Sequence, residues 1–128
     1  MIVDTSAVVA IVAREPGYER LIDKLRAAEQ PGIGTPTLTE TAMVLEGRFG
    51  LDGRTVVERF LHDFEVIEVA YGDLHWREAL AAYHRFGKGR HPAALNFGDC
   101  MSYATAMLAN QPLLFVGDDF AKTDVRPA

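Results

Sequence analysis

With 128 residues, 48% hydrophobic and 24% charged, the chain has the length and balance of one globular domain with its own core, which excludes disorder and a disulfide-stapled scaffold. A formal net charge of −5 excludes a nucleic-acid binder that works by overall charge alone, but not a nuclease whose carboxylates await metal. The lone Cys100 has no internal disulfide partner, and the short apolar run Ala7 to Ala13 follows an acid, so neither a secretory signal nor a membrane span is expected and the cytoplasm is the expected compartment.

In chain order, Met1 to Val3 is a short apolar strand that stops at Asp4. Thr5 or Ser6 is placed to cap a helix through Val8, Ile11 and Val12, which Pro16-Gly17 ends. Leu21, Ile22 and Leu25 stand at helical spacing in a helix from Tyr18 to about Ala28, and Pro31-Gly32 breaks the pattern again. Ile33 to Pro36 is the second strand; Thr37 opens a helix that ends near Gly47 or Gly50. Asp52 caps a helix carrying Val56, Val57, Phe60 and Leu61, and Glu65 to Val69 is the third strand. A long helix runs from Asp73 to about Phe86, with Trp76, Tyr83 and Phe86 read as core. Gly87 to Phe97 is a loop, Gly98 to Leu108 a helix, Leu113 to Val116 a fourth strand, Asp118 to Lys122 a turn, and Asp124 to Arg126 a final edge strand. Strands separated by helices predict an α/β fold: three layers, α/β/α, around a short, mainly parallel sheet of four or five strands.

Ligands of such sheets bind beyond the carboxyl ends of the strands. Acids stand at those places: Asp4 after the first strand, Glu40 in the first turn after the second, Asp99 opening the helix before the fourth, and Asp118 and Asp119 after the fourth. Each has a plain structural reading: Asp4 in a strand-to-helix turn, Glu40 in a capping box with Thr37, Asp99 against a helix dipole, Asp118 in a turn. Gathered at one sheet edge, however, they would repel one another unless a hard cation neutralised them. Mg²⁺ suits oxygen ligands, takes one or two carboxylates directly and keeps several waters.

The motifs around these acids resemble a known family. Met1-Ile2-Val3-Asp4-Thr5-Ser6-Ala7 is similar to the opening of PIN-domain proteins. FGKGRHPAALNFGDCMSYA, from Phe86 to Ala104, resembles the central signature of VapC-type toxins, and LLFVGDDFAKTDV, from Leu113 to Val125, resembles their C-terminal segment. The resemblance runs end to end and implies a single PIN domain over residues 1–128. It implies an Mg²⁺-dependent endoribonuclease, with Mn²⁺ able to substitute, acting as the toxin of a type II toxin–antitoxin pair. Asp4, Glu40 and Asp99 match the first three family acids, with Asp4 and Asp99 as metal ligands. The fourth maps onto Asp118 or Asp119, with Asp118 favoured as nearer the strand's end. Ser6 matches a hydroxyl that supports the acidic site, and it equally fits a helix cap. The implied reaction is in-line attack by metal-activated water, leaving a 5′-phosphate and a 3′-hydroxyl. The implied partners are RNA, a VapB-type antitoxin and a second copy of the chain, with the apolar surface of the first two helices serving the protein contacts.

His84, Arg85, Lys88, Arg90 and His91 form the densest basic stretch, and Arg85, Lys88, Arg90 and His91 are candidates for RNA phosphates; a solvated loop explains them equally. Arg14 is a weaker candidate. His75 and His84 lack the spacing of a zinc site. A haloacid-dehalogenase-like phosphatase would need an Asp where Ser6 stands, and a receiver domain would need an acceptor Asp after the third strand, where Ala70 and Tyr71 stand. The alternative from another class is a PIN-like RNA- or protein-binding module with weak or no nuclease activity.

Overall fold

The computed structural model describes residues 1–128. Ile2–Val3 (β1) leads into helices Thr5–Val12 (α1) and Tyr18–Ala27 (α2). Gly32–Gly34 (β2) leads into Thr35–Phe49 (α3) and Gly53–Asp63 (α4); Ile67–Val69 (β3) leads into Asp73–Phe86 (α5) and Phe97–Ala109 (α6). Leu113–Leu114 (β4) precedes a 3-10 turn at Phe120–Lys122. The strands lie in the order β3-β2-β1-β4, all neighbours parallel, with Ile2 opposite both Gly32 and Leu113. No helix is long and apolar enough to cross a membrane.

The strands are short, but their two-residue alternation still builds two cores. Ile2 and Leu113 face one side, where they pack with Tyr103 and Ala106 of α6 and Ala79, Ala82 and Phe86 of α5. Val3, Ile33 and Leu114 face the other, with Val8 and Ile11 of α1, Leu25 of α2 and Phe60 of α4. Helices therefore cover both faces, as the three-layer reading expects. On β2 the side toward α6 is glycine: a Cβ on Gly34 would lie 2.8 Å from Thr105 Oγ1. That bare backbone lets α6 come close.

Several boundaries differ from the sequence reading. β2 ends at Gly34, and α3 starts at Thr35 with Pro36 in its first turn, where a missing N–H costs nothing. Pro36 thus opens the helix and is no part of the strand. Glu65 stands at φ 50 and closes off α4, so β3 begins only at Ile67. The expected edge strand at Asp124 to Arg126 is absent; the segment touches the sheet through one parallel bridge, Leu113 to Pro127. Side chains hold it instead: Asp124 accepts from Tyr103 Oη at 2.6 Å and from Arg85 Nη2 at 2.8 Å.

The apolar surface also falls elsewhere than expected. None of the large exposed hydrophobic residues lies on α1 or α2, whose apolar faces are turned to the sheet. Trp76, Leu80 and Tyr83 of α5 and Phe97 of α6 are exposed instead, at 49%, 45%, 38% and 79%. Of the three aromatics read as core, only Phe86 is buried.

Candidate active site

Asp4 is the N-cap of α1. Its carboxylate Oδ2 accepts from the Ser6 backbone N–H at 2.9 Å, so the acid caps the helix and neither Thr5 nor Ser6 does. The Ser6 hydroxyl donates to the same oxygen at 2.6 Å and accepts from the Val116 N–H at 3.0 Å. One hydroxyl thus ties Asp4 to the backbone just beyond β4. The chain then turns at Gly117, whose φ of 104 suits glycine, and presents Asp118 and Asp119 on the surface.

Glu40 lies in the second turn of α3, because the helix begins earlier than expected. Its capping-box partner is lost: Gly34 is the N-cap, and the Thr37 hydroxyl pairs with Ser102 Oγ at 3.2 Å. Asp99 does take part in a capping box. Its N–H donates to Asn96 Oδ1 at 2.9 Å, and its Oδ2 accepts from the Asn96 N–H at 3.0 Å. That leaves Oδ1 of Asp99 for another partner.

Asp4, Ser6, Glu40, Asn96 and Asp99 line one cavity of about 300 Å³ at the carboxyl ends of the strands. Burial first, and then the negative charges of Asp4, Asp119 and Glu40, push the Asp99 carboxyl up to about 6 against the hydrogen bond from Asn96. Asp118 and Asp119 are both exposed and lie outside the cavity lining, with the charge of Asp119 among those acting on Asp99. The widest surface hollow, about 840 Å³, lies at the opposite ends of the strands, with Glu29 as its only charged side chain.

A chain of buried hydroxyls underlies the acids. The Thr41 hydroxyl gives its hydrogen to Thr37 O at 2.7 Å, so at 3.0 Å Thr5 is the donor to Thr41. Thr37 and Ser102 extend the chain to α6. Each acid-bearing helix contributes: Thr5 next to Asp4, Thr41 next to Glu40, Ser102 one turn beyond Asp99. No buried side-chain nitrogen or oxygen lacks a partner. Sequence reasoning missed these residues, since a Thr or Ser at helical spacing carries no signal until its neighbour across the interface is known.

It also missed Arg48 and Glu15, which line the same cavity. Glu40, Val44 and Arg48 are spaced by four on α3, so helical periodicity alone puts Arg48 on the face of Glu40. The basic stretch stands apart from the cavity lining. Arg85 is held by Asp124, the His91 ring accepts from the Ala93 N–H, Arg90 lies over the Tyr83 ring, and Lys88 is exposed.

The donor set is all oxygen, which fits a hard cation. No three His, Cys, Asp or Glu side chains stand close enough to hold an ion alone. A hard cation bound here would draw only part of its ligand set from the protein and keep much of its water, as Mg²⁺ does.

Residues 1–126 match the family model described as PIN domain. The chain is 47% identical to Ribonuclease VapC36 of Mycobacterium tuberculosis, over 98% of this chain and 91% of that protein. It is 45% identical to Ribonuclease VapC of Mycolicibacterium smegmatis, over 98% and 97%. Among solved structures, the chain resembles M. tuberculosis VapC20, described as a sarcin-ricin loop cleaving toxin, with a TM-score of 0.76, 20% identity and 98% of each chain covered. It also resembles a chain of a toxin-antitoxin complex from Klebsiella pneumoniae, with a TM-score of 0.69 and 17% identity over 96% of this chain and 92% of that one. At those identities the two structures speak for the fold.

Proposed function

The chain belongs to the PIN-domain family and, within it, to the VapC ribonucleases, and on that premise we propose that it is an Mg²⁺-dependent endoribonuclease, the toxin of a toxin–antitoxin pair acting in the cytoplasm. The observation that carries the reading is the shared cavity: Asp4, Glu40 and Asp99, distant in sequence, line one space at the carboxyl edge of the sheet. Three acids in one cavity repel one another without a cation, and their charges add to the burial that raises the Asp99 carboxyl.

In this reading Asp4 and Asp99 hold the ion, Asp4 with its Oδ2 fixed by Ser6 and Asp99 with its Oδ2 fixed by Asn96. Bound Mg²⁺ polarises a phosphoryl oxygen and lowers the pKa of water. Glu40 and Asp119, with Asp118 beside it, accept hydrogen bonds from the attacking water and aim it in line with the scissile P–O3′ bond. Water oxygen bonds to phosphorus, the 3′-oxygen leaves and takes up a proton, and the products are a 5′-phosphate and a 3′-hydroxyl. Arg48 supplies positive charge inside the cavity, and Lys88 and Arg90 supply it outside, for flanking phosphates.

Two protein partners belong to the proposal. A second copy of the chain covers the exposed apolar face of α5 and α6, where an all-hydrophobic hollow of about 430 Å³ opens between Trp76, Tyr83 and Phe97. A protein antitoxin blocks the cavity with a cationic side chain that competes with the metal for Asp4, Glu40 and Asp99. The deciding experiment is cleavage of a structured RNA with Mg²⁺ or Mn²⁺, with and without EDTA, for the wild type and Asp4→Asn. Metal-dependent cleavage that Asp4→Asn abolishes, with the fold intact by circular dichroism, is the expected result. RNA binding without cleavage would favour the binding-module reading.

A further inference from the structure

We propose that Gly98 is a positioning residue whose missing side chain makes the space in which the Glu40 carboxylate stands against the first turn of α6, beside Asp99. A Cβ built on Gly98 would lie 1.6 Å from Glu40 Oε2, 2.5 Å from its Cδ and 2.9 Å from its Oε1. All three nearest atoms belong to one carboxyl group, and none is backbone. The nearest contact a side chain at this position would make is therefore with the Glu40 carboxylate itself.

Backbone conformation does not account for this glycine. Gly98 lies inside α6 without the positive φ seen at Gly17, Gly50, Gly89 and Gly117. Any residue could adopt its conformation, and glycine is among the poorest helix formers. Gly47, another helical glycine, has nothing within 4 Å of a Cβ and shows no such function. What remains is room. The room lies where a carboxylate gains from the N-terminal end of the α6 dipole, which offsets repulsion from the neighbouring Asp99. Gly98 thus sets the place of Glu40 relative to Asp99, although Glu40 and Gly98 are far apart in sequence.

The inference rests on the reading that Glu40 serves RNA cleavage, and its test separates the two. Gly98→Ala, Glu40→Ala and the double variant are compared by thermal melting in EDTA and by Mg²⁺-dependent cleavage. The added methyl should raise Tm in the Glu40→Ala background, where helix propensity acts unopposed, by more than it does in the wild-type background. Cleavage by Gly98→Ala should fall at least tenfold with the fold retained. In the Gly98→Ala background, the shorter acid of Glu40→Asp should restore at least threefold of the lost rate. An equal Tm change with and without Glu40 would overturn the steric claim, even if Gly98→Ala alone folds poorly. Wild-type cleavage by Gly98→Ala, with Glu40→Ala inactive, would overturn the positioning claim. Full activity of Glu40→Ala would instead remove Glu40 from the reaction, while the melting comparison still judges the contact.

Discussion

Asp99 carries the clearest residue-scale consequence. Its carboxyl is raised to about 6 from 3.8, so the folded protein holds the proton more tightly than the unfolded chain. The stability this contributes is complete below pH 3.8 and is lost as pH rises through about 6. Metal-free protein should therefore weaken across that window, by about 1–2 kcal/mol once solvent screening of a part-exposed group is allowed for. Asp99→Asn should remove the slope and raise Tm at pH 7.5 in EDTA, while abolishing Mg²⁺-dependent cleavage; a neutral side chain that left the pH dependence unchanged would contradict the cause given. Mg²⁺ affinity should rise through the same window, because the ion binds the carboxylate. Ser6 makes a second test. Ser6→Ala loses the 2.6 Å hydrogen bond to Asp4, leaving only a backbone donor on that oxygen. The exposed Val116 N–H can turn to water, so stability should fall by only about 1 kcal/mol. Cleavage should fall about tenfold, and an unchanged rate would assign Ser6 no part in holding Asp4.

At the scale of elements, the acids are as well placed as the helices that carry them. Asp4, Glu40 and Asp99 sit near the starts of α1, α3 and α6, and the chain from Thr5 through Thr41 and Thr37 to Ser102 crosses all three helices. These hydroxyls are almost wholly buried, Thr41 and Ser102 completely so. Thr41→Val keeps the shape but removes the acceptor for Thr5, whose remaining partner is Thr37 O at 3.4 Å. A buried polar group left poorly paired costs about 1–3 kcal/mol, so Tm should drop measurably. Cleavage should drop with it at temperatures where the variant is still folded, since α1 and α3 lose their lateral tie. A fully active, fully stable Thr41→Val would show that apolar contacts alone hold the acids in register.

For the whole molecule, the two faces of the sheet differ in what remains uncovered. The apolar faces of α1 and α2 are turned to the sheet, whereas α5 and α6 leave Trp76, Leu80, Tyr83 and Phe97 in contact with water. A patch of that kind on a chain of this size calls for a partner. Leu80→Glu should convert the proposed dimer into a folded monomer in sedimentation equilibrium, with the wild type sedimenting at twice the monomer mass. A wild type that remains monomeric at high concentration would reject the second-copy assignment.

The pattern of apolar runs and breakers sufficed for the order of elements, the parallel sheet and the helices on both faces, because strand and helix periods are local properties. Acid positions at element ends were legible for the same reason, and the motifs around Asp4, Asp99 and Asp119 named the family. The start of α3 was not legible: Thr-Pro-Thr-Leu-Thr offers several caps, and the structure uses none of them, with Gly34 as the N-cap and Pro36 in the first turn. Nor was the choice between Asp118 and Asp119 legible, since both follow the Gly117 turn as exposed neighbours. The room for Glu40 over Gly98, the hydroxyl chain beneath the acids and the exposed face of α5 and α6 each depend on contacts between residues distant in sequence. Such contacts exist only after the helices have packed, so tertiary structure alone decided them.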